Sequence, residues 1–191
     1  DWEYAFQGCS EEDVRTNVAS GTFGAWNETG CHIHLAVLLG ALQNMGYGES
    51  LGKFICDDGG EIPDRDELAA GLATWARAPI DDSLIPARAE LLQAMVRFDL
   101  PVGFWSTPHP YKEFSLTANA YRLRIPLTVH PGIGYDIIYN HHFANGAALG
   151  RGADIDYRVF VNSIDQMDGG IFLSIGSAIM APQIFEKALS F

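Results

Sequence analysis

The sequence is short of charge, of cysteine and of long apolar runs, and each shortage closes off a class of protein. Only 19% of its 191 residues are charged, against 48% hydrophobic. That balance is too apolar for a disordered chain and sufficient for one substantial core. Cys9, Cys31 and Cys56 form no Cys-x-x-Cys pair, so neither a disulfide framework nor a sulfur-rich zinc site is indicated, and reduced, buried thiols are expected. The longest apolar stretch, "IHLAVLLGALQNMG", is broken by Gly40 and Gln43 and falls short of the roughly 18 to 20 residues of a membrane span. Positive charge is scarce as well: 12 Lys and Arg against 24 Asp and Glu leave a net charge of −12. This argues against nucleic acid as a partner and is compatible with a cationic ligand. The opening "DWEYAFQG" has no basic n-region or cleavage pattern, so it reads as a start inside a fold, and a cytoplasmic protein without membrane contact is expected.

Several chemical signatures are missing too. "GIGYDI" fails the last position of Gly-x-Gly-x-x-Gly, and neither Gly-x-x-x-x-Gly-Lys nor Gly-x-Ser-x-Gly occurs, so no standard phosphate loop or nucleophile elbow is present. The aromatic residues are scattered without basic residues between them, which makes them core and not a base-stacking platform. No internal repeat or low-complexity segment is seen.

What is present is helical punctuation followed by a run of alternating elements. "SEEDVRTNVASG" has Ser10 as a candidate N-cap, acidic residues in its first turn and Gly21 as a stop. "NETGCHIHLAVLLGALQNMG" predicts a helix capped at Asn27 and ended at Gly46, and "ESLGKFICDD" another turn or two. After the turn-rich "GGEIPDR", two amphipathic helices are expected in "DELAAGLATWARA" and "IPARAELLQAMVRFD", the second with Leu91, Leu92, Met95 and Phe98 at helical spacing. "PVGFWSTPHPYKE" predicts a surface loop with a short strand at 102–105, and "FSLTANAYRLR" a helix ending at Arg124. From there the pattern reads strand "IPLTVH", loop, helix "ADIDYRVFVNSIDQM", strand "IFLSIG" and helix "SAIMAPQIFEKALS". Both runs are continuously apolar, as parallel strands are when helices cover both faces, so an α/β fold with a parallel sheet is expected.

Candidate site residues follow from that expectation. Parallel sheets place ligands at the carboxyl ends of their strands. "HPGIGYD" and "SIGSA" would be two such ends, with Gly132, Gly134, Gly176 and Ser177 letting backbone approach a bound group. Asp136 is either a ligand group or a helix N-cap. His130 at a strand end is an acid–base candidate. His141 and His142, with "CHIH", invite a metal, but side chains at i and i+2 or i and i+1 diverge, so no metal site is assigned.

Taken together, "EFSLTANAYRLRIPLTVHPGIGYDII" and "GGIFLSIGSAIMAPQIFEKALS" resemble the deoxyhypusine synthase family, including its homospermidine synthase relatives. The start of the chain resembles the stretch that follows the glycine-rich dinucleotide turn in bacterial members. The resemblance implies a single, partial Rossmann-like domain over 1–191, which includes a helical segment at 59–110, binding NAD within a homotetramer. It implies a transferase that oxidises a polyamine to an imine and passes on its aminoalkyl group, with Asp136 holding the cationic amine beside His141 and His142. Gly132, Gly134, Gly176 and Ser177 would face the cofactor, and His130 would serve as acid or base. The family's tryptophan-glycine-lysine motif is not found, and Lys187 sits inside a helix pattern. Either that lysine lies beyond this sequence or transfer has been abandoned, which leaves a non-catalytic dinucleotide-binding or structural subunit as one alternative. A metal-dependent hydrolase using His130, His141 and His142 is the other.

Overall fold

In the computed structural model, which describes residues 13–23, 27, 30–134 and 136–191, eight α-helices and two strands follow one another. The order is α1 (Val14–Ser20), α2 (Cys31–Ala41), α3 (Tyr47–Cys56), β1 (Gly59–Ile62), α4 (Arg65–Arg77), α5 (Ile85–Phe98), β2 (Gly103–Ser106), α6 (Leu116–Leu123), α7 (Gly146–Asp165) and α8 (Met180–Ala188). Single 3-10 turns at Lys112–Phe114 and Ile137–Asn140 precede α6 and α7.

The apolar stretch too short for a membrane becomes the central strut. Leu35, Ala36, Val37 and Leu38 of α2 are each at most 1% exposed, and a helix apolar all round must be surrounded. Around it pack α3, α5, α7 and β1, contributing Phe54, Leu91, Met95, Ile62, Ala148 and Leu149 to one core. Among the described residues no helix is long and apolar enough to cross a membrane.

Local chemistry sets most boundaries. The Asp13 carboxylate accepts the Thr16 N–H to start α1, Asp64 accepts those of Asp66 and Glu67 to start α4, and Ser115 that of Ala118 to start α6. Gly46, expected as a stop, is instead the N-cap of α3, a full helix of 10 residues where a turn or two was expected. "GGEI", expected as a turn-rich break, is β1. The expected cap at Ser10 lies outside the described residues.

The expected parallel sheet is not the fold. Among the described residues the sheet is a two-stranded antiparallel ribbon, with Gly59 opposite Ser106 and Ile62 opposite Gly103. A Rossmann-like sheet with helices on both faces is therefore corrected to a helix-rich assembly around α2. Neither "IPLTVH" at 125–130 nor "IFLSIG" at 171–176 pairs with another strand. The reason lies in where the backbone groups go. The Ile125 N–H bonds to the Ala120 carbonyl at the end of α6, Pro126 has no N–H, and the Val129 N–H is taken by the Asp156 carboxylate. In the second run Phe172 stacks on Phe185 of α8 at 4.3 Å, but Ile171, Leu173 and Ile175 stay 83%, 72% and 85% exposed. A continuous apolar run reports a preference for a pleated surface, and here no neighbouring strand supplies one.

Candidate functional site

Among the described residues no parallel strands share an end, so the crevice expected between "HPGIGYD" and "SIGSA" is not formed by a sheet edge. The predicted residues occupy separate local settings. Gly134 and Gly176 have φ of +108° and +77°, a region that favours glycine, and no atom lies within 4 Å of where a β-carbon would stand on either. Gly132 lies in the same irregular segment as Gly134. Ser177 acts as a local brace: its Oγ accepts the Ala181 N–H at 3.0 Å, and its carbonyl accepts the Ser174 hydroxyl at 3.1 Å. Asp136 is exposed and caps the 3-10 turn at Ile137–Asn140 through the Ile138 N–H at 3.4 Å. Its carboxylate remains open to a further partner.

His130 is half-buried, with Nε2 at 3.0 Å from the Thr128 hydroxyl and its ring edge-on to Phe160 at 5.4 Å. Burial holds its pKa below the ordinary histidine value. His141 and His142 stack on each other at 4.4 Å, His141 buried and His142 exposed. His141 Nδ1 accepts the Phe143 N–H at 3.2 Å, and its ring lies against Gly30, where a β-carbon would overlap it. His34 is 1% exposed. Its Nε2–H donates to the Ile138 carbonyl at 3.1 Å and its Nδ1 accepts the Asn145 N–H at 3.5 Å. These bonds fix one neutral tautomer, and burial lowers its pKa accordingly. His34 thus ties the turn before α7 to α2. Among the described residues, no group of three or more His, Cys, Asp or Glu is arranged to hold a metal ion.

A substantial concave site lies elsewhere. A cavity of about 590 Å³ opens between the start of α3, the length of α6, the segment 125–127 and one turn of α7. Its lining includes Gly46, Gly48, Glu49, Tyr121, Arg122, Arg124, Pro126, Leu127, Asp156 and Val159. That volume falls within the roughly 300 to 1,000 Å³ of small-molecule sites.

Asp156 builds this cavity. It is 2% exposed, and its Oδ2 accepts the Gly48 N–H at 2.9 Å and the Val129 N–H at 2.8 Å. One carboxylate therefore caps the open N-terminus of α3 and pins the extended wall to it. Burial raises its pKa above the ordinary carboxylate range, opposed by the N–H groups of Val129, Gly48 and Tyr47. Close approach is possible because Gly48 has no side chain: a β-carbon there would overlap the Leu127 carbonyl oxygen. Sequence reasoning missed Asp156, although an aspartate within "ADIDYRVF", one turn from Gly152 and Phe160 on the same helix face, was a signal.

Arg122 and Arg124, also missed, stand at the end of α6. Arg122 donates to the Asn119 side-chain oxygen at 2.7 Å. Arg124 adopts φ of +56° as the left-handed cap of α6. No family model, no curated protein and no solved structure matches the chain.

Proposed function

We propose that this chain is an NAD-dependent enzyme similar to deoxyhypusine synthase, which oxidises a polyamine or related amine to an imine. The observation that carries the reading is the sequence pattern of 113–138 and 169–190. Its support in the fold is that Thr117, Ala120, Tyr121, Arg122, Arg124, Ile125, Pro126 and Leu127, all from the first of these stretches, line the 590 Å³ cavity. The cavity falls in the size range of small-molecule sites. NAD, when bound, accepts the hydride. The residues assigned to the amine are Asp136, whose exposed carboxylate pairs with the ammonium form, and His130, whose depressed pKa leaves a neutral imidazole to take a proton. His141 is buried in the support of the α2 start, so of the two adjacent histidines His142 is the one open to substrate.

Aminoalkyl transfer would add a lysine imine. Lys187 is exposed at the surface of α8 beside Glu186, at 3.2 Å, and has none of the burial that frees a lysine amine for that task. The proposal is therefore confined to amine oxidation.

Titration calorimetry and thermal unfolding of the chain with NAD test the reading. We expect NAD to bind and raise Tm, and Asp136→Ala to weaken spermidine binding at least tenfold while leaving NAD binding within twofold. Absence of any NAD effect refutes it. NAD binding without NADH formation from spermidine, putrescine or related diamines would favour the non-catalytic alternative.

A further inference from the structure

Two helices begin at one cluster of histidines. His34 lies in the first turn of α2, and the His141 ring lies against Gly30, which caps α2 without a side-chain hydrogen bond. Asn145, whose N–H reaches His34, is the N-cap of α7. The positive ends of both helix dipoles therefore meet where two imidazoles are buried, His34 at 1% exposure and His141 at 3%.

Both rings accept a backbone N–H of the same turn on Nδ1, His141 from Phe143 at 3.2 Å and His34 from Asn145 at 3.5 Å. A protonated imidazole has no lone pair left to accept with, and sets one N–H against another. The Ile138 carbonyl, by contrast, accepts from His34 Nε2–H in either form. Protonation therefore acts on 143–145 and the cap of α7, and leaves the bond to the 3-10 turn in place.

No acid offsets the added charge. Among the described residues, the titratable groups that act on His141 are His142, stacked on it at 4.4 Å, His34 and His32. His34 feels burial and the Ile138 carbonyl. Charged groups on the surrounding elements are engaged with others: Arg97 of α5 lies over Phe98 at 5.0 Å, Arg151 of α7 pairs with Glu90, Lys53 of α3 pairs with Asp57, and Asp136 acts on Tyr47. The Cys31 thiol, pushed up to about 11 by burial, stays neutral. Burial, joined at His141 by its histidine neighbours, holds both imidazoles below the ordinary value of about 6.5. What they contribute to the closed turn is thus complete above about pH 6.5 and is lost as pH falls below it.

We propose that the turn 141–145 is a proton-operated latch, which holds the start of α7 to α2 while His34 and His141 are neutral and lets go when both take a proton. The latch stands apart from the NAD reading, since it involves no ligand.

Hydrogen exchange of the 191-residue chain from about pH 7 to about pH 5, corrected for the intrinsic rate at each pH, reads the two donors themselves. Two protons bound on opening should raise the opening constant of the Phe143 and Asn145 amides by up to about a hundredfold per pH unit, while the amides of Val37 and Leu38 in the core stay protected. His34→Gln and His141→Asn put a non-titrating amide in place of each imidazole. Either alone should reduce the rise to about tenfold per pH unit, and the pair should abolish it. The slope in the unaltered chain decides the matter even where a variant does not fold. Histidine nitrogen shifts are a second measurement, and both rings should be Nε2–H tautomers at about pH 7.5. The latch is overturned by a rise of tenfold or less per pH unit in the unaltered chain, by Phe143 and Asn145 exchanging only together with the core amides, or by a Nδ1–H tautomer at either ring.

Discussion

Replacing Asp156 by alanine should be among the most damaging single changes in this chain. The carboxylate is 2% exposed and receives two backbone N–H groups at 2.9 and 2.8 Å. Its loss leaves both donors buried without acceptors, at about 1 to 3 kcal/mol each. Relief from burying a carboxylate offsets part of this, which leaves a net cost of about 3 kcal/mol. For a chain of this size, 1 kcal/mol moves Tm by roughly 2 to 4 °C, so Asp156→Ala should melt about 6 to 12 °C lower. Asp156→Asn keeps one oxygen for Gly48 and Val129, but turns an amide towards the Tyr47 N–H that the carboxylate also attracts, so it should lose about half as much. Hydrogen exchange gives a local readout, since the amides of Gly48 and Val129 should exchange faster in both variants. A loss below about 1 kcal/mol in Asp156→Ala, or an Asn variant as unstable as the Ala variant, would refute the assignment of Asp156 as the clasp of the cavity wall. The pH dependence has its own sign. With the folded pKa raised by burial, this group favours folding at low pH and loses that contribution as pH rises from the ordinary carboxylate value to the folded one. That part of the profile should vanish in Asp156→Ala.

Further tests follow from other parts of the fold. His109 is pushed down to about 4, chiefly by burial and against the pull of Asp58 at 3.9 Å. The unfolded chain takes that proton near pH 6.5, so the stability this residue contributes is complete above about 6.5 and is lost as pH falls towards 4. Equilibrium urea unfolding across that window should show a slope that His109→Gln reduces, by an amount on the order of 3 kcal/mol at its acid end; an unchanged slope would contradict it. Gly52→Ala places a β-carbon 2.5 Å from the Thr117 carbonyl oxygen and 2.7 Å from the Tyr121 β-carbon. We expect a loss of about 1 to 3 kcal/mol despite better helix propensity. Gly71→Ala, in exposed α4 with nothing within 4 Å of the new carbon, should instead gain about 1 kcal/mol. Thermal unfolding of the two variants side by side checks both signs.

Helices were legible because their signals are local. Gly21 and Arg124 mark stops, and the spacing of Leu91 and Met95 marks the buried face of α5. The short strand after Val102 was legible for the same reason. The two apolar runs misled because their residues satisfy a strand's composition while their backbone groups are spent elsewhere: Ile125 on α6 and Val129 on Asp156. The glycines of "HPGIGYD" and "SIGSA" do carry unusual backbone angles. The expected reason for them, a common sheet edge, is absent.

Composition and periodicity alone determined that this chain carries an acidic surface, builds helices at the marked positions and sinks "HLAVLL" into a core, because each depends on near neighbours in sequence and on burying apolar area. Which backbone N–H meets which acceptor across 108 residues, as Gly48 meets Asp156, was decided only on folding. So was the cavity. Its arginines, carboxylate and apolar wall come from α3, α6, the segment after α6 and α7, and no local pattern encodes the contact that brings those four pieces together.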